Sequence, residues 1–248
     1  MSERARGSER LAHIGRLAGG LAHEIKNPLS TVSINLQLIE EEWRGDDSSK
    51  GRRLRSKIEL LRKEVKRLED ILSDFLRFAR GDDIEPTKTD VNQIVDEVVD
   101  FIAPEAQSQQ IQIRKSYASG LPMCWIDAKL FKQALLNIII NAQQAMPDGG
   151  ELMVRTSLQG HDVVIDITDT GAGIAPEHRD KVFHVYYSTK KGGTGLGLAT
   201  VQRIVEDHDG EVRLQSEVGK GTNVSIRMPI ADGPPPAPVK QLQDATNG

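Results

Sequence analysis

The stretch GGLAHEIKNPLSTVS, residues 19–33, places a histidine, an acid and an asparagine within about one turn of a helix-like pattern. His23 and Asn27 are four residues apart and so share a helix face. His23 falls between the apolar positions Leu21 and Ile25, which lets its ring face outward. Imidazole titrates near neutrality, so a neutral, nucleophilic nitrogen is available there. Glu24, the next residue, can accept a proton or orient the ring, although a plain solvent-facing acid is the ordinary reading. Pro28 removes one backbone hydrogen bond and favours a bend. A lone surface histidine is normally inert, and that is how His13, His161, His178, His184 and His208 read.

Three further clusters carry chemistry. In DTGAGI (169–174) a strand ends in Asp169, and Gly171 and Gly173 allow a flat ligand close to the backbone. A carboxylate so placed can accept from an exocyclic amine such as that of adenine. In KKGGTGLGLAT (190–200) Gly192, Gly193, Gly195 and Gly197 precede a helix, whose N-terminus offers free N–H groups to phosphates beside Lys190 and Lys191. The spacing matches neither a Walker loop nor a Rossmann turn. In NIIINAQQAM (137–146) Asn137 and Asn141 share a face, and their amide oxygens suit Mg²⁺ or its waters. Ile138, Ile139 and Ile140 are expected to bury the other side. Taken singly, each cluster is also what an ordinary loop or a solvated helix face would show.

The elements that must position these residues follow from periodicity. Apolar residues at Leu11, Ile14, Ala18, Leu21, Ile25, Leu29, Val32, Leu36, Ile39 and Trp43 step by three and four, with a stutter of two fours at Leu21, Ile25 and Leu29. After the polar turn 44–51, Leu54, Ile58, Leu61, Val65, Leu68, Leu72, Phe75 and Ala79 form an unbroken heptad ladder. A lone hairpin leaves much of this seam in water, so two are expected to pair into a four-helix bundle, a homodimer through residues 11–80. Residues 1–10 read as a flexible N-terminus, 81–90 as a linker, and 231–248 as a Pro-rich disordered tail. Between them, 91–230 reads as helix 91–107, strand 111–117, strand 123–126, helix 127–146, a hairpin of strands 151–158 and 162–169, a helix from about 195 to 207, and strands 211–215 and 222–228. The fold class is therefore an α hairpin followed by an α+β sandwich with a mixed sheet.

Composition sets bounds on function. Acids outnumber bases 36 to 32, which argues against a nucleic-acid partner. The single Cys124 admits no internal disulfide, and no apolar run nears the roughly 18 residues that span a bilayer. A cytoplasmic location is expected.

The order of the clusters carries a resemblance. HEIKNPL, NIIINA, DTGAGI and GGTGLGL are similar to the phosphoacceptor, N, first glycine and second glycine boxes of the two-component sensor histidine kinases. That family joins a dimerisation and phosphotransfer hairpin to an ATP-binding domain of the gyrase, Hsp90, kinase and MutL (GHKL) type. The resemblance covers roughly residues 10–230, and NAQQAM and YSTKKGGTGLGL look most like the nitrogen-regulation and sporulation branch. It implies that His23 takes the γ-phosphoryl group of ATP on Nε2, with Glu24 as proton acceptor or ring orienter. A response regulator's receiver aspartate then receives the group. Asn27 is implied to orient water for dephosphorylating that receiver, and a bend at Pro28 to switch between the two activities. Asp169 is implied to fix the adenine amino group with Gly171 and Gly173 beside it. Asn141 is implied to ligate Mg²⁺ with support from Asn137. Lys190 is expected to contact phosphate, and Gly193, Thr194, Gly195, Leu196 and Gly197 to form the cradle under a lid spanning about 184–194. Two departures stand out. Gln144 replaces a lysine that many members carry, which shifts phosphate neutralisation toward Lys190, and Tyr186 stands near the second aromatic of an F box that keeps Phe183. No sensor domain precedes His23 here, so a separate sensory partner or an excised core is expected. Alternatives are a nucleotide-switched GHKL binding module without kinase activity, and a GHKL ATPase or serine kinase.

Overall fold

The computed structural model describes residues 25, 27–43, 48–80, 84–190 and 194–230, apart from the side chains at 67, 69–71 and 73–80. The expectations for residues 1–10 and 231–248 lie outside the described residues. The chain divides into two compact units, Met1–Asp82 with Thr189–Leu196, and Asp83–Ser188 with the chain from Gly197.

In the first unit α1 (27–42) and α2 (Ser49–Arg80) form the hairpin. The turn is shorter than 44–51: the Ser48 hydroxyl accepts from the Gly51 N–H at 3.0 Å, so the helix starts at Ser49. Arg55 Nη1 donates to the Trp43 carbonyl at 3.0 Å, and Arg62 pairs with Glu40. Leu36, Ile58 and Val65 are buried, with Leu29 and Leu54 packed against them. Apart from Leu54, which packs inward although it shares the register of Leu61 and Leu68, the ladder splits by register. Leu29 and Leu36, Ile58 and Val65 face inward, each pair seven residues apart. Ile25, Val32 and Ile39, and Leu61 and Leu68, also at steps of seven, remain exposed.

The second unit holds β1 (Thr87–Thr89), α3 (Val91–Ser108), β2 (Ile111–Tyr117), β3 (Cys124–Ile126), α4 (Ala128–Gln144), β4 (Gly150–Gln159), β5 (Asp162–Asp169), α5 (Pro176–Arg179), α6 (Gly197–Asp207), β6 (Glu211–Glu217) and β7 (Gly221–Pro229). Thr87–Thr89, within the stretch expected to be linker, pairs antiparallel with β3. The main sheet has the order β2-β4-β5-β7-β6. Only β2 and β4 run parallel among these five strands; the other neighbours are antiparallel. The expected mixed sheet is therefore present. In the QGH turn Gln159 pairs with Asp162 and Gly160 has φ +64°, the left-handed first position a two-residue hairpin favours.

Strand alternation sorts the sheet's faces. Leu152, Val154, Val163, Ile165, Ile167, Val224, Ile226 and Met228 join the apolar stripes of α3, α4 and α6 in one core. The opposite face carries polar pairs such as Arg227–Asp162 and Thr168–Asn223. Asp90 and Asp127 cap α3 and α4, each accepting from helix N–H groups. One expectation on α4 needs correction: Ile138 and Ile139 are buried but Ile140 is 39% exposed. At about 100° per residue, three consecutive side chains cannot all lie on one stripe.

Candidate nucleotide site

α4 and α6 bring the asparagine pair to the second glycine cluster. Asn137 and Asn141 are half-buried on α4. Asn137 Nδ2 donates to the Gly197 carbonyl at 3.4 Å, and a Cβ on Gly197 would lie 3.6 Å from Asn141 Nδ2. The asparagine face therefore looks at the first residue of α6, where N–H groups have no intrahelical acceptors. Those N–H groups and the positive helix end attract anions.

One turn beyond Asn141 the same helix meets the first glycine cluster. The Ala145 carbonyl accepts from the Ala172 N–H at 3.1 Å, and a Cβ on Gly171 would sit 2.5 Å from that oxygen. Gly173 has φ +70°, and its Cβ would strike the Glu217 carbonyl. These glycines thus have a packing reason, close approach of backbone to backbone, beyond the ligand approach read from the sequence. Asp169 ends β5 and is 6% exposed. Its Oδ1 accepts from the N–H groups of Gly171 at 2.8 Å and Thr222 at 3.2 Å. Two N–H donors on one oxygen hold the carboxylate in a single orientation.

The other sequence-selected residues are placed separately. Asn27 is exposed on α1, its carbonyl accepting from Thr31 Oγ1 at 3.1 Å. Thr194 Oγ1 accepts from the Leu196 N–H at 3.4 Å, Gly195 has φ +68°, and Leu196 is buried. Lys190 is exposed. His23, Glu24 and Gly193 lie outside the described residues. Within the expected lid, Tyr187 Oη and His178 Nδ1 are 2.6 Å apart, which ties that loop to α5. Phe183 is half-buried, and Tyr186 is exposed with φ +65°.

Sequence reading missed two contributors. Gly221, at φ +101°, would carry a Cβ only 1.9 Å from the Asp169 carbonyl oxygen, so only glycine lets β7 pass this close to the end of β5. His208, read as an inert surface histidine, is 2% exposed. The signal was present: Val201, Ile204, Val205 and His208 continue one stripe at steps of three and four.

Comparison with known proteins bears on this arrangement. Residues 13–84 match the family described as His Kinase A (phospho-acceptor) domain. Residues 126–232 match the Histidine kinase-, DNA gyrase B-, and HSP90-like ATPase. The chain is 32% identical over 231 residues to sporulation kinase E of Bacillus subtilis, covering 93% of this chain and 30% of that protein. It is 34% identical over 222 residues to the sensor histidine kinase ZraS of Escherichia coli, covering 90% of this chain and 47% of that protein. A full-length ShkA structure in complex with AMPPNP aligns with TM-score 0.70 and 28% identity, over 89% of this chain and 47% of that one. The chain spans less than half the length of each of these. Both matched regions, in this order, support a two-component histidine kinase catalytic core, the first over its phosphoacceptor part and the second over its ATPase-like part.

Proposed function

We propose that the chain phosphorylates its own His23 from ATP and passes the phosphoryl group to an aspartate of a response regulator receiver domain. The main support is the convergence of Asn137 and Asn141 on Gly197, one helical turn from the glycine loop that follows buried Asp169. In this reading Asp169 accepts from the adenine amino group, its carboxylate already oriented by Gly171 and Thr222. The first turn of α6, with Gly193, Thr194, Gly195 and Leu196 before it, holds the phosphates, and Lys190 adds positive charge. Phosphoryl transfer depends mostly on such positioning and charge neutralisation.

Mg²⁺ fits the donor set. Among the described residues no group of three His, Cys, Asp or Glu side chains forms an all-protein cage. Asn141 would hold the ion through its amide oxygen, with Asn137 beside it, and the ion would supply charge neutralisation at the phosphates.

At the hairpin, His23 Nε2 attacks the γ-phosphorus in line. The N–P bond forms, the bond to the bridging oxygen breaks, and ADP leaves. The remaining ring proton becomes more acidic and passes to Glu24. Asn27, one turn on, orients water for the reverse task of clearing the receiver, and bending at Pro28 switches between the two. The exposed heptad register of Ile25, Val32, Ile39, Leu61 and Leu68 supports a homodimer. ATP chemistry and the single cysteine suit a cytoplasmic location. Among the described residues no helix is long and apolar enough to cross a membrane.

The test of the nucleotide site is an ATP titration of Asp169→Asn. Losing a charged acceptor should weaken binding about tenfold to a hundredfold. Unchanged affinity in the folded variant would remove Asp169 from the site.

A further inference from the structure

α4 and α6 are pinned to each other at two places. One is the contact of Asn137 with Gly197. The other lies at the start of α4 and the end of α6. The imidazole of His208, just past the end of α6, accepts from the Asp127 N–H on Nε2 at 2.9 Å. Because a backbone N–H can only donate, Nε2 carries no proton. Nδ1 then holds it and donates to the Ile204 carbonyl at 2.7 Å. The ring sits 6.3 Å from that of Phe131, edge to face, and is 2% exposed. From Asp127 to Asn137 the helical rise gives roughly 15 Å, and from Gly197 to His208 roughly 16 Å. Two antiparallel stretches of matched length, 127–137 and 197–208, are thus fastened at both ends.

Asp127 is itself a junction. Its Oδ1 accepts from the N–H groups of Lys129 and Leu130, capping α4, and its Oδ2 accepts from the Glu85 N–H at 3.1 Å. Three backbone segments therefore meet at one carboxylate and one imidazole: the chain entering this unit, the start of α4 and the end of α6. The far ends of α4 and α6 carry the asparagines and the phosphate-binding turn of the proposed site.

We propose that His208 is a positioning residue for the nucleotide site: it fixes how α6 lies along α4, and so aligns Asn141 with the N–H groups of the first turn of α6. This rests on the nucleotide reading given above. His208 touches no substrate and acts through the two helices. Its isolation from solvent makes the two hydrogen bonds hard to replace by water, so their loss is felt as a shift of one helix against the other.

The experiment compares the full chain with His208→Leu, which fills the space without hydrogen bonds, and His208→Gln, whose Oε1 can still accept from Asp127. His161→Gln, at an exposed histidine, is the control. Each is titrated with ATP and assayed for labelling from γ-³²P-ATP across ATP concentration. The leucine variant should need about tenfold more ATP for half-maximal labelling, the size of one lost buried hydrogen bond, with the maximal rate within about twofold. The glutamine variant should recover most of the loss. A folded leucine variant that binds ATP like the unmodified chain, or a glutamine variant no better than leucine, overturns the proposal. A purely structural role would lower the melting temperature and leave the half-maximal ATP concentration alone. Should the leucine variant not fold, the imidazole ¹⁵N resonances of the unmodified chain decide. They should move when ATP is added, and ring signals indifferent to ATP overturn the proposal. Absence of ATP binding by the unmodified chain would instead sink the nucleotide reading itself.

Discussion

In the sheet unit Val163, Ile165 and Ile167 of β5 are at most 2% exposed, whereas in the hairpin Val32, Leu61 and Leu68 are 45%, 53% and 44% exposed. The named side chains are all large aliphatics; what differs is what covers them. β5 has β4 and β7 beside it and helices over one face, all from the same chain. Each hairpin helix meets one partner helix, and a heptad seam has two registers. One chain satisfies only the first. The comparison separates a unit closed by its own sequence from one whose second apolar face calls for another chain.

The largest expected effect comes from charging that second face. Val32→Glu with Leu61→Glu should convert the dimer to monomer in sedimentation at micromolar concentration. Each unpaired charge buried at the interface costs about 3–5 kcal/mol. ATP binding by the sheet unit should persist. A double variant that stays dimeric would place the interface elsewhere.

An intermediate effect is expected where the sheet unit's closure meets its site. Gly221→Ala puts a methyl into the Asp169 carbonyl at a positive φ, a strain of about 1–3 kcal/mol. ATP affinity should fall about tenfold, and the dimer should be unaffected. A variant that binds ATP normally would show that the Asp169–Thr222 contact can shift without cost to the site.

The smallest effect is a silence. Cys124 is fully buried, and burial pushes its thiol up to about 11. Native protein at pH 8 should resist alkylation, and labelling should rise only as the pH nears that value or the sheet unit unfolds. Because the raised value disfavours thiolate in the folded state, unfolding at pH 8 should itself speed the reaction. The charged hairpin double variant should leave Cys124 as unreactive as before. Rapid labelling on losing the dimer would show that the two units do not close independently.

Much of this was legible in the sequence. Alternation marks Ile111–Tyr117 as a strand, and the QGH turn marks Asp162–Asp169 as the second strand of a hairpin. The asparagine face of α4 followed from spacing alone. What escaped depended on distant partners. Thr87–Thr89 is too short to show a period and becomes a strand only because β3 lies beside it. Gly221 is one glycine in GKGT until β7 is placed against Asp169. His208 was legible as a stripe position but was read by residue type instead of by spacing. The split of the heptad ladder into inward and outward registers needed the hairpin's own geometry. The chemistry at His23 rests on sequence order and family likeness.

The most direct test is therefore labelling at that residue. The full chain incubated with γ-³²P-ATP and Mg²⁺ should gain a phosphate that is lost in acid and survives base, and His23→Gln should gain none while still binding ATP. Label that resists acid, or equal labelling of the His23→Gln chain, would contradict the account.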